Sequence, residues 1–170
     1  QPGQSLASTV APWFKAAAYA LILFHEAGVP CVFWGDLLGS PDSDDLPAVR
    51  ELPILMGIRA RAAVGRQHNA FDDADVVGFA REGKEEIPGS GCAVILSDRM
   101  AAEKTLYVGT RHAGEEWECV IGGHPSVRVA DDGTLTGTVS DGGLSVYAPR
   151  ASAHHTPRPR PCRRGRETCA

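Results

Sequence analysis

Asp36 follows the apolar run Cys31-Val32-Phe33-Trp34 with only Gly35 between. Such a run, without alternation of polar and apolar residues, reads as a parallel strand buried on both faces. A carboxylate just past the C-terminal end of a parallel strand stands where α/β enzymes place functional groups. Trp34 can stack on a ligand there, and Gly35 lets backbone come close. A loop Asp capping local amides beside a core Trp explains the same residues, and one carboxylate alone makes no mechanism. A second cluster, Asp72-Asp73-Ala74-Asp75, precedes a strand-like run, and Asp98 ends the next one. If those strands pair as a hairpin, Asp75 and Asp98 lie at one end of the sheet and can share a cation such as calcium, which takes hard oxygen ligands. The cluster lacks EF-hand spacing, so solvated turn acids are the competing explanation.

Other chemistries find no support. His68, His112 and His124 are far apart, and none pairs with Cys or His at zinc spacing. Ser8, Ser90 and Ser97 lack a nucleophile-elbow context. The Gly pairs fall at hairpin turns rather than between strand and helix, which leaves no phosphate loop. The five Cys (31, 92, 119, 162, 169) are an odd number without CxxC pairing. Cys31, Cys92 and Cys119 sit among apolar neighbours, where Cys behaves as a small hydrophobe. A reducing compartment suits this pattern, so the cytoplasm is the expected location.

The elements that must position these residues divide the 170-residue chain into unlike parts, an α+β organisation overall. Residues 1–65 read as helix, strand, helix. Pro12 suits a first helical turn, and apolar positions between Trp13 and Glu26 cover most of the circumference of a buried helix. Gly28 and Pro30 end it, and the strand 31–34 follows. The polar loop Ser40–Asp45 then leads to a second helix at about Leu46–Ala63. A single parallel strand has no sheet, so this half is not a complete domain. Residues 66–149 carry seven short β-branched or aromatic runs: Val76–Arg81, Cys92–Ser97, Thr105–Val108, Glu116–Ile121, Ser126–Val129, Leu135–Val139 and Leu144–Tyr147. With turns such as Asp132-Gly133 and Asp141-Gly142-Gly143 between them, they predict an antiparallel sandwich or Greek-key sheet.

From Arg150 onward the chain carries six Arg against one Glu. The net charge of −4 therefore rests on a more acidic body, which argues against nucleic-acid binding by the folded part. The tail 150–170 is Pro-rich and is expected to be disordered. The longest apolar run, Ala16–Phe24, is too short to span a bilayer, so no membrane role is expected.

The stretch "QPGQSLASTVAPWFKAAAYALILFHEAGVPCVFWGD" resembles the last part of the catalytic barrel of the liquefying-type α-amylases, glycoside hydrolase family 13. "QHNAFDDADVVGFAREGKEEIPGSGCAVILSD", "LYVGTRHAGEEW" and "DGGLSVYAP" resemble that family's C-terminal β-domain in order and spacing. The resemblance covers about residues 1–148. It implies that residues 1–65 are the end of a (β/α)8 TIM barrel, with 66–149 an antiparallel domain packed beneath it. It implies a retaining hydrolysis of internal α-1,4 links of starch or glycogen by an Asp nucleophile and a Glu acid/base, helped by a further Asp. All three would lie upstream of Gln1, so no catalytic residue is expected here and this chain alone is expected to be inactive. By the same resemblance Trp34, Gly35 and Asp36 border the glucan cleft. The carbonyl of Ala74 and the side chains of Asp75 and Asp98 would be one side of a calcium site, incomplete in this chain. A stand-alone carbohydrate-binding or interaction module is the alternative. Phe71, Phe79, Tyr107, Trp117 and Tyr147, however, are scattered over different strands rather than forming a planar row.

Overall fold

The computed structural model describes residues 10–39 and 47–150. The expected loop Ser40–Asp45 and the tail beyond Arg150 lie outside the described residues. Pro12 opens a short 3-10 turn, Pro12–Phe14, which leads into helix α1, Lys15–Phe24. The sequence KAAAYALILF is built of strong helix formers, which explains the helix before any packing is considered. Its buried side carries Ala17, Tyr19, Ala20, Leu23 and Phe24, while Ile22 stays exposed. The burial over most of the circumference expected for this helix is therefore only partly reached, because the described residues cover it with a sheet on one side only.

Cys31–Trp34 does not form the expected strand. Residues 31–33 are extended without a sheet partner, and Trp34–Leu38 is a short helix, α2. A strand is defined by the ladder it joins, and none of the described strands runs alongside this segment. Cys31 is accordingly exposed rather than packed as a small hydrophobe. Helix α3 runs Leu52–Arg61, later than the expected start near 46. Pro53 lies in its first turn, where a missing N–H costs no intrahelical bond, and so suits a helix that begins at Leu52 rather than one already running from 46.

Eight strands follow: β1 Gln67–Ala70, β2 Val76–Arg81, β3 Cys92–Ser97, β4 Ala102–Tyr107, β5 Glu116–Ile121, β6 Val127–Arg128, β7 Thr134–Val139 and β8 Leu144–Pro149. Seven are the expected runs, three of them with the expected bounds. The eighth, β1, is polar (QHNA), so no β-propensity announces it. It exists because it pairs along the edge of β2 from Gln67↔Arg81 to Ala70↔Gly78. All pairings are antiparallel, as expected. Six strands form one sheet in the order β1-β2-β3-β8-β5-β6, and β4-β7 form a second.

The large sheet is covered on both faces. On one side Phe79, Cys92, Val94, Leu96 and Val146 share a core with Phe24, Leu52, Leu55 and Ile58 of the helices. On the other, Ala80, Ala93, Ile95 and Tyr147 pack with Leu106, Leu135 and Val139 of the small sheet. This is why β3, CAVILS, is buried at all six positions and shows no alternation. Burying Val94, Ile95 and Leu96 contributes roughly 1.5–3 kcal/mol each.

Arg81, at the end of β2, faces the helical side and is buried. Its Nη1 donates to Phe24 O at 2.8 Å, and its Nε and Nη2 donate to Gly65 O at 3.0 and 2.6 Å. It thereby satisfies the carbonyls at the end of α1 and in the connection to β1. His112 performs a similar task at the sheet end. Its Nδ1 meets Glu115 Oε2 at 2.7 Å and its Nε2 meets Glu82 O at 2.8 Å, and its ring lies edge-on to Trp117.

Candidate functional site

Asp36 is buried beneath α1. Lys15 and Tyr19 stand one helical turn apart on α1, so both reach the same point. Lys15 Nζ donates to Asp36 Oδ1 at 2.5 Å, and the Tyr19 hydroxyl donates to Oδ2 at 2.7 Å. The same hydroxyl accepts from Phe33 N at 3.3 Å, and the Asp36 carbonyl accepts from Val49 N at 2.7 Å. Burial pushes the Asp36 carboxyl upward, but the hydrogen bonds from Lys15 and Tyr19, with the Lys15 charge, outweigh it and hold the group below its ordinary value. Tyr19 is pushed up, first by its burial and then by the bond to Asp36. An ionised carboxylate with both oxygens occupied binds α2 to α1; it is not placed to take or give a proton. Sequence reading missed Lys15 and Tyr19 as its partners, although their i, i+4 spacing puts them on one helix face.

Trp34 begins α2 with 69% of its surface exposed, beside Phe33 at 60%. Gly35 lies against the Phe33 ring, where a Cβ would come within 2.5 Å of Cε1. Trp34 and Asp36 thus share one short helix with opposite surroundings, the ring outward and the carboxylate inward.

The two acids at the open end of the β2–β3 hairpin are brought together. Val76 is the register partner of Ser97, and Asp98 N donates to Asp75 O at 3.2 Å. Arg99 Nε lies 3.8 Å from Asp75 Oδ1 and 3.6 Å from Asp98 Oδ2. Asp73 Oδ1 accepts from Asp75 N and Val76 N, and Asp72 pairs with the buried Lys104 at 2.8 Å. The Ala74 carbonyl and the carboxylates of Asp75 and Asp98 fall short of the six to eight oxygens that calcium gathers. Arg99 already supplies positive charge to both acids. Among the described residues no group of three or more His, Cys, Asp or Glu could hold a metal. The described residues alone do not close a calcium shell.

Of the five aromatics weighed as a sugar platform, Phe79, Trp117 and Tyr147 are fully buried, while Phe71 and Tyr107 are partly exposed. No described helix is long and apolar enough to cross a membrane.

The described residues thus form an antiparallel β-domain carrying short helices on one face, with an acid pair at a hairpin end. No family model matches the chain. Its sequence is similar to curated α-amylases at 36–40% identity over most of its length. It is 39% identical over 158 residues to the α-amylase of Geobacillus stearothermophilus, covering 92% of this chain and 29% of that one. It is 40% identical over 154 residues to the α-amylase of Bacillus licheniformis, covering 88% and 30%. The cytoplasmic α-amylase of Escherichia coli (strain K12) is 37% identical over 158 residues, covering 86% and 32%. The chain therefore spans about 30% of the length of the curated relatives it matches. Among solved structures, an α-amylase from Malbranchea cinnamomea superposes with a TM-score of 0.63 at 16% identity, over 86% of this chain and 34% of that one. At that identity the likeness speaks for the fold alone.

Proposed function

We propose that this chain forms part of an α-amylase-type glycoside hydrolase that cleaves internal α-1,4 links of starch or glycogen, and that these 170 residues by themselves do not catalyse hydrolysis. The observation that carries the first clause is the 39% identity to a named α-amylase over 92% of the chain. The second is supported by the surroundings of Asp36. Retaining glycoside hydrolysis needs two carboxyl groups about 5–5.5 Å apart across the scissile bond. Asp36 faces an ammonium and a phenol instead.

In this reading α1, the unpaired segment Cys31–Phe33 and α3 are a barrel's last elements, and residues 66–149 are the domain beneath it. Trp34 offers its exposed ring to glucan at the cleft border, with Gly35 allowing close approach and Asp36 anchoring the turn from behind. Ala74, Asp75 and Asp98 supply one side of a calcium site whose remaining oxygens come from elsewhere in a longer protein. The exposed thiol of Cys31 and the cytoplasmic relative in Escherichia coli favour a cytoplasmic location.

Purified chain incubated with soluble starch is expected to release no reducing ends above the blank. Reproducible release that follows the chain through purification overturns the claim of inactivity. Retention on a starch gel without release is expected to drop when Trp34 is replaced by Ala; retention unaffected by that change overturns the role given to Trp34.

A further inference from the structure

A shallow, open depression of about 490 Å3 lies where the end of α3, the connection Val64–Arg66 and the end of β2 converge. Four cations line it, Arg59, Arg66, Arg81 and Lys84, against the single carboxylate of Glu26. This accumulation does not follow from composition, since the chain as a whole carries a net charge of −4.

None of the four is neutralised by a described acid. Arg81 spends three of its five N–H donors on the carbonyls of Phe24 and Gly65, which leaves two donors over. Among the described residues Arg59 makes one bond, from Nη1 to His25 O at 3.3 Å. Among the described residues the side chains of Arg66 and Lys84 have no hydrogen-bond or ion-pair partner. Glu26 is engaged at the rim, where its Oε2 accepts from Gln67 N at 2.9 Å. Burial lowers the Arg81 guanidinium from its ordinary value; Cys92 and Glu26 act in the opposite sense, and the charge of Arg59 adds a smaller lowering.

We propose that this depression is a binding site for a phosphate dianion, either free or carried on a small sugar. Guanidinium groups in a recess are suited to phosphate because they offer paired donors in a fixed plane. A concave wall lined by one sign of charge concentrates the field on an entering anion. Arg81 is the rigid floor, fixed by its bonds to backbone carbonyls. Arg59 flanks it, and the exposed Arg66 and Lys84 close over the ligand from the rim. The site stands whether or not the chain is part of a hydrolase, because none of its residues enters the glucan or calcium assignments.

Isothermal titration of the purified chain with inorganic phosphate, and separately with glucose 6-phosphate, tests the proposal against glucose and sodium chloride at matched ionic strength. One saturable site per chain is expected, with a Kd on the order of 1 mM or tighter for at least one of the two phosphates. Tighter binding of glucose 6-phosphate assigns the site to a sugar phosphate; equal binding assigns it to the phosphoryl group alone. The double variant Arg66→Ala/Lys84→Ala changes only exposed side chains and is expected to weaken binding at least about tenfold. No saturable heat, unchanged affinity in the variant, or equal binding of chloride overturns the proposal.

Discussion

The Tyr19 hydroxyl and the Asp36 carboxylate meet at 2.7 Å, joining two helices through residues 17 apart in the chain. Because Lys15 and Tyr19 favour the ionised form, the Asp36 carboxyl sits below its ordinary value of 3.8 in the fold. A carboxylate whose folded value is depressed contributes stability above its unfolded value and loses it as pH falls through the folded one. Asp36→Asn is therefore expected to cost about 1–3 kcal/mol at pH 7. The difference from the parent chain shrinks below about pH 4, as urea unfolding at pH 7 and pH 3 will show.

Gly65 has φ +82°, and a Cβ there would lie 2.0 Å from the Gly83 carbonyl oxygen. Backbone cannot yield as a side-chain tip can, and the left-handed conformation adds about 1–2 kcal/mol for any residue with a Cβ. Gly65→Ala is expected to destabilise by more than about 2 kcal/mol. Gly137→Ala would press a methyl to 2.6 Å from Tyr147 Cε2 and 2.8 Å from Ile95 Cδ1, side-chain atoms that can shift. Its cost is expected to be the smaller of the two by thermal unfolding.

Burial pushes the Cys92 thiol up to about 12, whereas Cys31 is exposed. Since the thiolate is the nucleophile, iodoacetamide in mild alkali is expected to modify Cys31 and spare Cys92 until denaturant is added. Peptide mass mapping before and after denaturation reads both outcomes.

With three ligating groups and Arg99 beside them, the Asp75–Asp98 end of the hairpin is expected to bind calcium more weakly than about 1 mM in this chain alone. Chelation should leave the unfolding midpoint unchanged. A calcium-dependent rise in Tm, lost in Asp98→Asn, would contradict this.

The β-domain was legible because most of its strands carry their own evidence: β-branched or aromatic runs between glycine turns. β1 was not legible, because QHNA becomes a strand only through its neighbour β2. The segment Cys31–Trp34 misled for the complementary reason, since apolar content alone does not make a strand without an adjacent one to bond. The acid pair Asp75 and Asp98 could be placed from hairpin register. The convergence of Arg59, Arg66, Arg81 and Lys84 could not, because it depends on how the end of α3 meets the end of β2.

One core joins α1 and α3 to the six-stranded sheet, and Arg81 fastens both sides of residue 65 with a single side chain. Such a junction behaves as a weld and not as a hinge. Nicking the backbone between residues 62 and 67 should leave two pieces that elute together and melt in a single step. In any longer protein that contains this unit, force applied to the helices passes directly into the sheet.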